Sequence, residues 1–242
     1  MGSHTKRKPL SEGKRRALLV VEIVCIVIAV VCIGLLIKEL SKYWIADNDF
    51  KQITQTYNRD IDRLVTDNPD CVGWVSAADT RIDYPVMYTP NDPEFYLHRN
   101  FEGEYSAAGT PFLGEGSIPD SVSIIIYGHH MNDGSMFAEL EKFDDAAFGT
   151  THTVEYKTIN GVKSYKTVAA WYEDLSGGGY YRYWDQVGNL DEQRYNDYVV
   201  QAKARSLYET GVTPTYGKKL ITLSTCSYGT SEQRFVVLAV EV

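Results

Sequence analysis

From Ala17 to Ile37 the chain carries one charged residue, Glu22, in 21 positions. A helix of that length rises about 31 Å, enough to cross the hydrocarbon core of a bilayer. The uninterrupted part, Ile23 to Ile37, is shorter, but Glu22 sits near the start and can reach the near interface. The competing reading is a cleaved signal peptide. Against it, the run is long and no small-x-small cleavage site follows. The expectation is an uncleaved membrane anchor over residues 17–38, with a basic tail before it over 1–16. A linker follows over 39–46, then a folded domain over 47–242. Lys6, Arg7, Lys8, Lys14, Arg15 and Arg16 precede the span, which puts the N-terminus in the cytoplasm and the domain outside the cell.

The basic end masks how acidic the remainder is. The formal net charge is −8, yet residues 1–42 hold eight Lys/Arg against three Asp/Glu, which leaves about −13 for residues 43–242. Such a domain lacks the basic face that nucleic-acid binding requires. Of four cysteines, Cys25 and Cys32 lie in the apolar run, leaving Cys71 and Cys226 for the domain. There is no Cys-x-x-Cys and no Cys/His cluster at zinc spacing, so no metal is expected. A Cys71–Cys226 disulfide is allowed by counting alone.

Within the domain, Asp47 or Asn48 can cap a helix whose stripe is Phe50, Ile53, Tyr57, Ile61 and Leu64, stopped by Asn68-Pro69-Asp70. Short strand-like runs follow at Cys71–Val75, Arg81–Met87, Thr110–Leu113 and Val122–Ile126. Met136–Phe148 reads as a helix or helical turn. His152–Lys157 and Val162–Ala170 flank Asn160-Gly161, a hairpin signal. A Ser176–Gly179 loop leads into an aromatic group (Tyr180, Tyr181, Tyr183, Trp184). Asp191–Tyr208 has the period of an amphipathic helix, and two last strands, Leu220–Cys226 and Phe235–Val240, complete the chain. Many short strands with two substantial helices indicate a mainly β fold, a barrel or a sandwich.

Three strand ends carry the candidate chemistry. Leu220–Cys226 alternates bulky and polar residues and runs into a thiol; Arg234 heads the next strand; Val122–Ile126 ends in Tyr127-Gly128-His129-His130. A free thiol is mostly protonated at neutral pH and needs a basic or cationic neighbour to act as a nucleophile. His129 can serve as acid and then base, and Arg234 as an oxyanion donor. His130, one residue on, should turn the other way. Each has a plainer reading: a small buried hydrophobe, a surface histidine, an exposed arginine. No third acidic partner stands out.

Thr222-Leu223-Ser224-Thr225-Cys226 matches the Thr-Leu-x-Thr-Cys signature of sortases, the cysteine transpeptidases of Gram-positive bacteria. Arg234-Phe-Val-Val and Tyr127-Gly128-His129 stand where that family has its arginine and histidine. The Asn68-Pro69-Asp70-x-Val72-Gly73-Trp74 start, the Tyr127–Met131 block and the two helices resemble class B, over roughly residues 45–242. Residues 112–116, Phe-Leu-Gly-Glu-Gly, depart from that class, which often has Asp after the apolar pair.

The resemblance implies an eight-stranded β-barrel, with an N-terminal helix and a long helix inserted before the last two strands. It implies Cys226, His129 and Arg234 as catalytic residues and a groove lined by Ser224, Thr225, Leu97, Tyr180 and Tyr181. The substrate would be a surface protein bearing a Pro-x-Thr sorting signal, and the acceptor a peptidoglycan precursor amine or a pilin lysine. No metal or organic cofactor is implied. A hydrolase using water as acceptor and a non-catalytic surface binding domain are the alternatives.

Overall fold

The computed structural model describes residues 12–226 and 232–242, with side chains described except at Ala17, residues 39–49 and Cys226. Most of the expected basic tail, residues 1–11, lies outside the described residues. The chain divides into two compact units, one ending at Trp44 and one spanning Ile45–Val242.

The first unit is helical. Helix α1, Glu12–Tyr57, begins in it, and the stretch Glu12–Lys38 is long and apolar enough to cross a membrane. Its most apolar window has a mean hydropathy of 3.2 and none of it is buried within the protein.

The second unit contains the last turns of α1, where Phe50 and Ile53 are buried and Phe50 meets the Tyr84 ring edge-on at 5.1 Å. The expected single helix from a cap at Asp47 or Asn48 through Leu64 is corrected at two points. Residues 39–48 are already helical, so neither Asp47 nor Asn48 is a cap. The helix then breaks at Asn58 and Arg59, both left-handed (φ 48° and 57°), and Asp60 caps a new helix, α2 (Ile61–Asp67), by accepting from the Arg63 N–H. Ile61 and Leu64 still bury the same stripe.

Eight strands close into a barrel: β1 (Cys71–Ala77), β2 (Asp83–Met87), β3 (Phe112–Leu113), β4 (Ser123–Tyr127), β5 (Thr153–Thr158), β6 (Gly161–Asp174), β7 (Leu220–Cys226) and β8 (Gln233–Glu241). Their order around the barrel is β1-β2-β3-β4-β7-β8-β6-β5. Closure removes the exposed strand edges that an open sandwich would leave. β5 and β6 pair as a hairpin through Asn160-Gly161, where Gly161 takes φ +109°. The Met136–Phe148 region divides into a 3-10 turn, Ala138–Asp144, and a short helix, α3 (Ala146–Thr151), because Asp145 leaves the helical conformation and caps α3 at the Phe148 N–H.

Helix α4 (Glu192–Arg205) starts at Asp191, whose carboxylate accepts from the Arg194 N–H. It buries Tyr195, Tyr198, Val199 and Ala202 on the outer face of the barrel, in one cluster with Trp171, Leu220, Val236, Leu238 and Val240. That face holds β7 and β8 rigidly where they run toward the candidate site.

On β1, a Cβ added at Gly73 would stand 2.6 Å from the ring of Tyr156, which is 5% exposed and has no room to swing away. Gly73→Ala is expected to lower stability by about 1–3 kcal/mol, the usual cost of overpacking. Denaturant unfolding of the domain measures this, and an unchanged midpoint would contradict the packing.

Candidate active site

The only parallel strand pair besides β2–β3 in the barrel's described ladders joins β4 to β7, with Ser123 opposite Leu220 and Tyr127 opposite Ser224. The Gly128 N–H then donates to the Ser224 carbonyl at 3.2 Å. His129 and Cys226 are each two residues past the Tyr127/Ser224 pair, so parallel pairing delivers both backbones to the same barrel end. β8 runs antiparallel to β7 with Arg234 opposite Cys226. Three strand ends, one of them about a hundred residues away from the other two in sequence, thus converge. The Cys226 side chain lies outside the described residues.

Gly128 has a spatial role. It is not among the glycines with positive φ, but a Cβ there would come 2.5 Å from the Phe137 ring. Phe137 in turn donates its N–H to the His129 carbonyl at 2.9 Å. Gly128 thus permits close packing beneath the histidine.

The His129 ring is held on two sides by consecutive residues of a 3-10 turn, Phe95–His98. Its Nε2 lies 2.7 Å from the Leu97 carbonyl oxygen, and exposed His98 stacks on its face at 5.2 Å and 21°. A carbonyl only accepts, so Nε2 carries the proton and Nδ1 is the basic nitrogen. Burial lowers the His129 pKa below its ordinary 6.5; the Leu97 carbonyl opposes this and His98 adds to it. At neutral pH the ring is an uncharged base. His130 departs as expected: its imidazole is buried and its Nε2 lies 3.3 Å from Glu141 Oε2.

Arg234 is half-buried, with Nη1 3.2 Å from the Gln233 carbonyl, and it lines a cleft of about 1060 Å³ together with His129. Leu97, Ser224 and Thr225 line this cleft as well. Ser224 is fully buried and its hydroxyl pairs with Tyr183 Oη at 2.8 Å, while the Thr225 hydroxyl is buried with no hydrogen-bond partner among the described residues. Tyr180 and Tyr181 are not lining residues. Tyr180 is 41% exposed, and Tyr181 packs on Tyr198 beneath Arg205. The aromatic wall belongs instead to Tyr183 and Trp184, because a 3-10 turn at Tyr183–Asp185 brings those two inward.

Several lining residues went unnoticed in the sequence. Tyr127 was visible only as the residue before Gly128, and burial pushes its phenol pKa far up. Phe112, Gly114, Glu115 and Gly116, the segment that departs from class B, form another part of the wall. No sequence signal pointed to Glu94 or Arg182. Among the described residues, no three His, Cys, Asp or Glu side chains are grouped to hold a metal ion. Cys71 is a free, buried thiol whose pKa burial raises to about 11, which corrects the disulfide allowed by counting.

A family model described as the sortase domain matches residues 79–242. Sortase B of Listeria monocytogenes is 35% identical over 172 residues, covering 69% of this chain; the chain spans about two thirds (66%) of that relative's length. Among solved structures, sortase B of Bacillus anthracis superposes with a TM-score of 0.72 at 27% identity, covering 84% of this chain and 99% of that one. A Staphylococcus aureus sortase B–substrate complex gives 0.67 at 25% identity, covering 85% and 96%. The family match takes in β2 to β8 and all three converging strand ends, and on that footing the chain belongs to the sortase family, its matched relatives being of class B.

Proposed function

We propose that this chain is a membrane-anchored cysteine transpeptidase that cleaves a Pro-x-Thr sorting signal and transfers the acyl group to a cell-wall precursor amine. The observation that carries the reading is the β4–β7 register, which sets the backbones of His129 and Cys226 level, with Arg234 across from the cysteine. One of the matched structures, of S. aureus sortase B, is a substrate complex, which supports a substrate site on this fold. The apolar stretch Glu12–Lys38 is the proposed anchor, with the N-terminus cytoplasmic and the catalytic domain outside.

In this reading Nδ1 of His129 takes the proton of the Cys226 thiol, and the resulting thiolate attacks the threonine carbonyl of the signal, whose electrons move onto oxygen. Arg234 faces the resulting oxyanion with a permanently charged, planar donor. His129 delivers a proton from Nδ1 to the departing amide nitrogen, leaving a thioester on Cys226. An incoming amine then attacks the thioester, His129 takes its proton, and the thiolate is released. A neutral, buried imidazole with Nε2 tied to Leu97 suits this exchange, since one nitrogen stays fixed while the other gains and loses the proton. The cleft is open enough for an extended peptide, and Leu97, Ser224 and Thr225 are its proposed contacts.

Three outcomes test the reading. Cys226→Ala should abolish peptide cleavage and the acyl-enzyme mass adduct, with Cys71→Ala keeping most activity. Mass spectrometry with a Pro-x-Thr peptide library, with and without added amine, reads both and separates transfer from hydrolysis; cleavage by Cys226→Ala would sink the mechanism. Arg234→Lys should lose about 10²–10³ in rate while melting unchanged, because an ammonium cannot reproduce the guanidinium fork. Turnover within about fivefold of the parent would remove the oxyanion role. Finally, the acid limb of the kcat/KM–pH profile should have its midpoint below the ordinary histidine value of 6.5, since His129 is driven down mainly by burial. A midpoint above 6.5 would show that another group, or a charged His129, limits the reaction.

A further inference from the structure

Glu173 is a buried carboxylate that the proposed chemistry does not use. It stands at 7% exposure near the end of β6, directly opposite Arg234 of β8, which is in turn opposite Cys226. Its two oxygens are committed separately. Oε2 accepts from the indole Nε1 of Trp171 at 2.9 Å, and Oε1 accepts from the backbone N–H of Tyr181 at 2.8 Å. The Arg205 guanidinium of α4 approaches Oε2 at 3.6 Å and lies over the Tyr181 ring at 4.5 Å. Buried carboxylates are rare unless paired and fully hydrogen-bonded, and this one is both.

What it holds is the far end of a glycine-rich loop. Between Asp174 and Tyr181 the chain passes through Gly177, Gly178 and Gly179, where an added Cβ would meet nothing within 4 Å, so the loop has no packing of its own there. At its start the Ser176 N–H and hydroxyl both donate to Asp174. At its end, the Tyr181 N–H bond to Glu173 is the described backbone anchor that precedes the cleft-lining residues Arg182, Tyr183 and Trp184. The carboxylate is therefore the last fixed point before the cleft wall.

We infer that Glu173 is a positioning residue: with Arg205 it locks Tyr181 to the barrel and so holds the Arg182–Trp184 wall in place for the bound peptide. The inference rests on the transpeptidase reading for its effect on catalysis, but not for its effect on the loop.

The chemistry chooses the test. Two donors converge on two oxygens, and an amide offers only one acceptor. In Glu173→Gln one donor therefore faces an NH₂ group, with little change in volume. In the full chain, Glu173→Gln is expected to raise KM for a Pro-x-Thr peptide about tenfold, the order expected for one unsatisfied buried donor, with kcat within twofold. Alkylation of Cys226 by a small thiol reagent should be unchanged. Hydrogen–deuterium exchange over residues 175–184 should quicken, while that of β7 and β8 stays as in the parent. Arg205→Gln, on the surface side of the lock, should move KM and exchange the same way by less, and it serves if Glu173→Gln does not fold. A fall in kcat at constant KM, or unaltered exchange over 175–184 in both variants, would overturn the inference. If the parent cleaves no peptide, the transpeptidase reading fails by itself, and the exchange measurement still decides whether Glu173 holds the loop.

Discussion

The site depends on one pairing, the parallel alignment of β4 with β7. Antiparallel neighbours would send their carboxyl ends to opposite ends of the barrel, whereas parallel neighbours bring them together. Everything between the two strands, from the 3-10 turn at Ala138–Asp144 through the β5–β6 hairpin to α4, is the long crossover that a parallel pair demands. The barrel closes around that pair, with β8 antiparallel on one side bringing Arg234 back and β3 on the other bringing the Phe112–Gly116 wall. Gly128, with the Phe137 ring filling the space its side chain leaves, marks where β4 ends and the histidine begins.

The outer face beneath α4 uses tyrosine in an unusual proportion. Tyr198 reaches Thr222 at 2.6 Å and Tyr183 reaches Ser224 at 2.8 Å, so two alternate residues of β7 are each bonded to a phenol from the covering layer. Such pairs give the layer a definite register on the strand, which apolar contact alone would leave loose, and inside the protein they are stronger than in water. Burial pushes the Tyr198 phenol far up and that of Tyr195, in the same layer, to about 12, so both stay neutral at any working pH. Of the chain's 18 tyrosines, Tyr127, Tyr181, Tyr183, Tyr195 and Tyr198 lie in or against this layer.

Much of this was legible in the residues. Alternation marked β7, an apolar run marked β8, Asn160-Gly161 marked the hairpin, and the apolar period from Asp191 marked the start of α4, which ends at Arg205 rather than Tyr208. These are local signals, and local physics was enough. Local signals left barrel or sandwich open, because that choice lies in which distant strands pair; the sortase resemblance implied the eight-stranded barrel, and the strands do close into one. The break at Asn58-Arg59 was missed because the apolar stripe continues across it: Ile61 and Leu64 keep facing the core while the backbone restarts at Asp60. The resemblance implies Tyr180 and Tyr181 in the groove, whereas the 3-10 turn brings Tyr183 and Trp184, three residues on, to the cleft wall. Glu173 gave no signal at all, being one acidic residue among 32 Asp and Glu whose burial depends on an indole, an amide and a guanidinium from three other places.

The β4–β7 pairing also governs when the site can exist. Its partners are about a hundred residues apart in the chain, so forming the pair closes a long loop at an entropic cost before its contacts are gained. The β5–β6 hairpin and the capped helices need no such closure and are the units that local contacts favour first. A chain that has folded only those units holds its imidazole segment on one free strand and its cysteine on another, with no shared register. Reactivity of the kind proposed therefore arrives in a single step with barrel closure, and a partly folded molecule is a bystander toward peptides rather than a weak and unselective acyl donor.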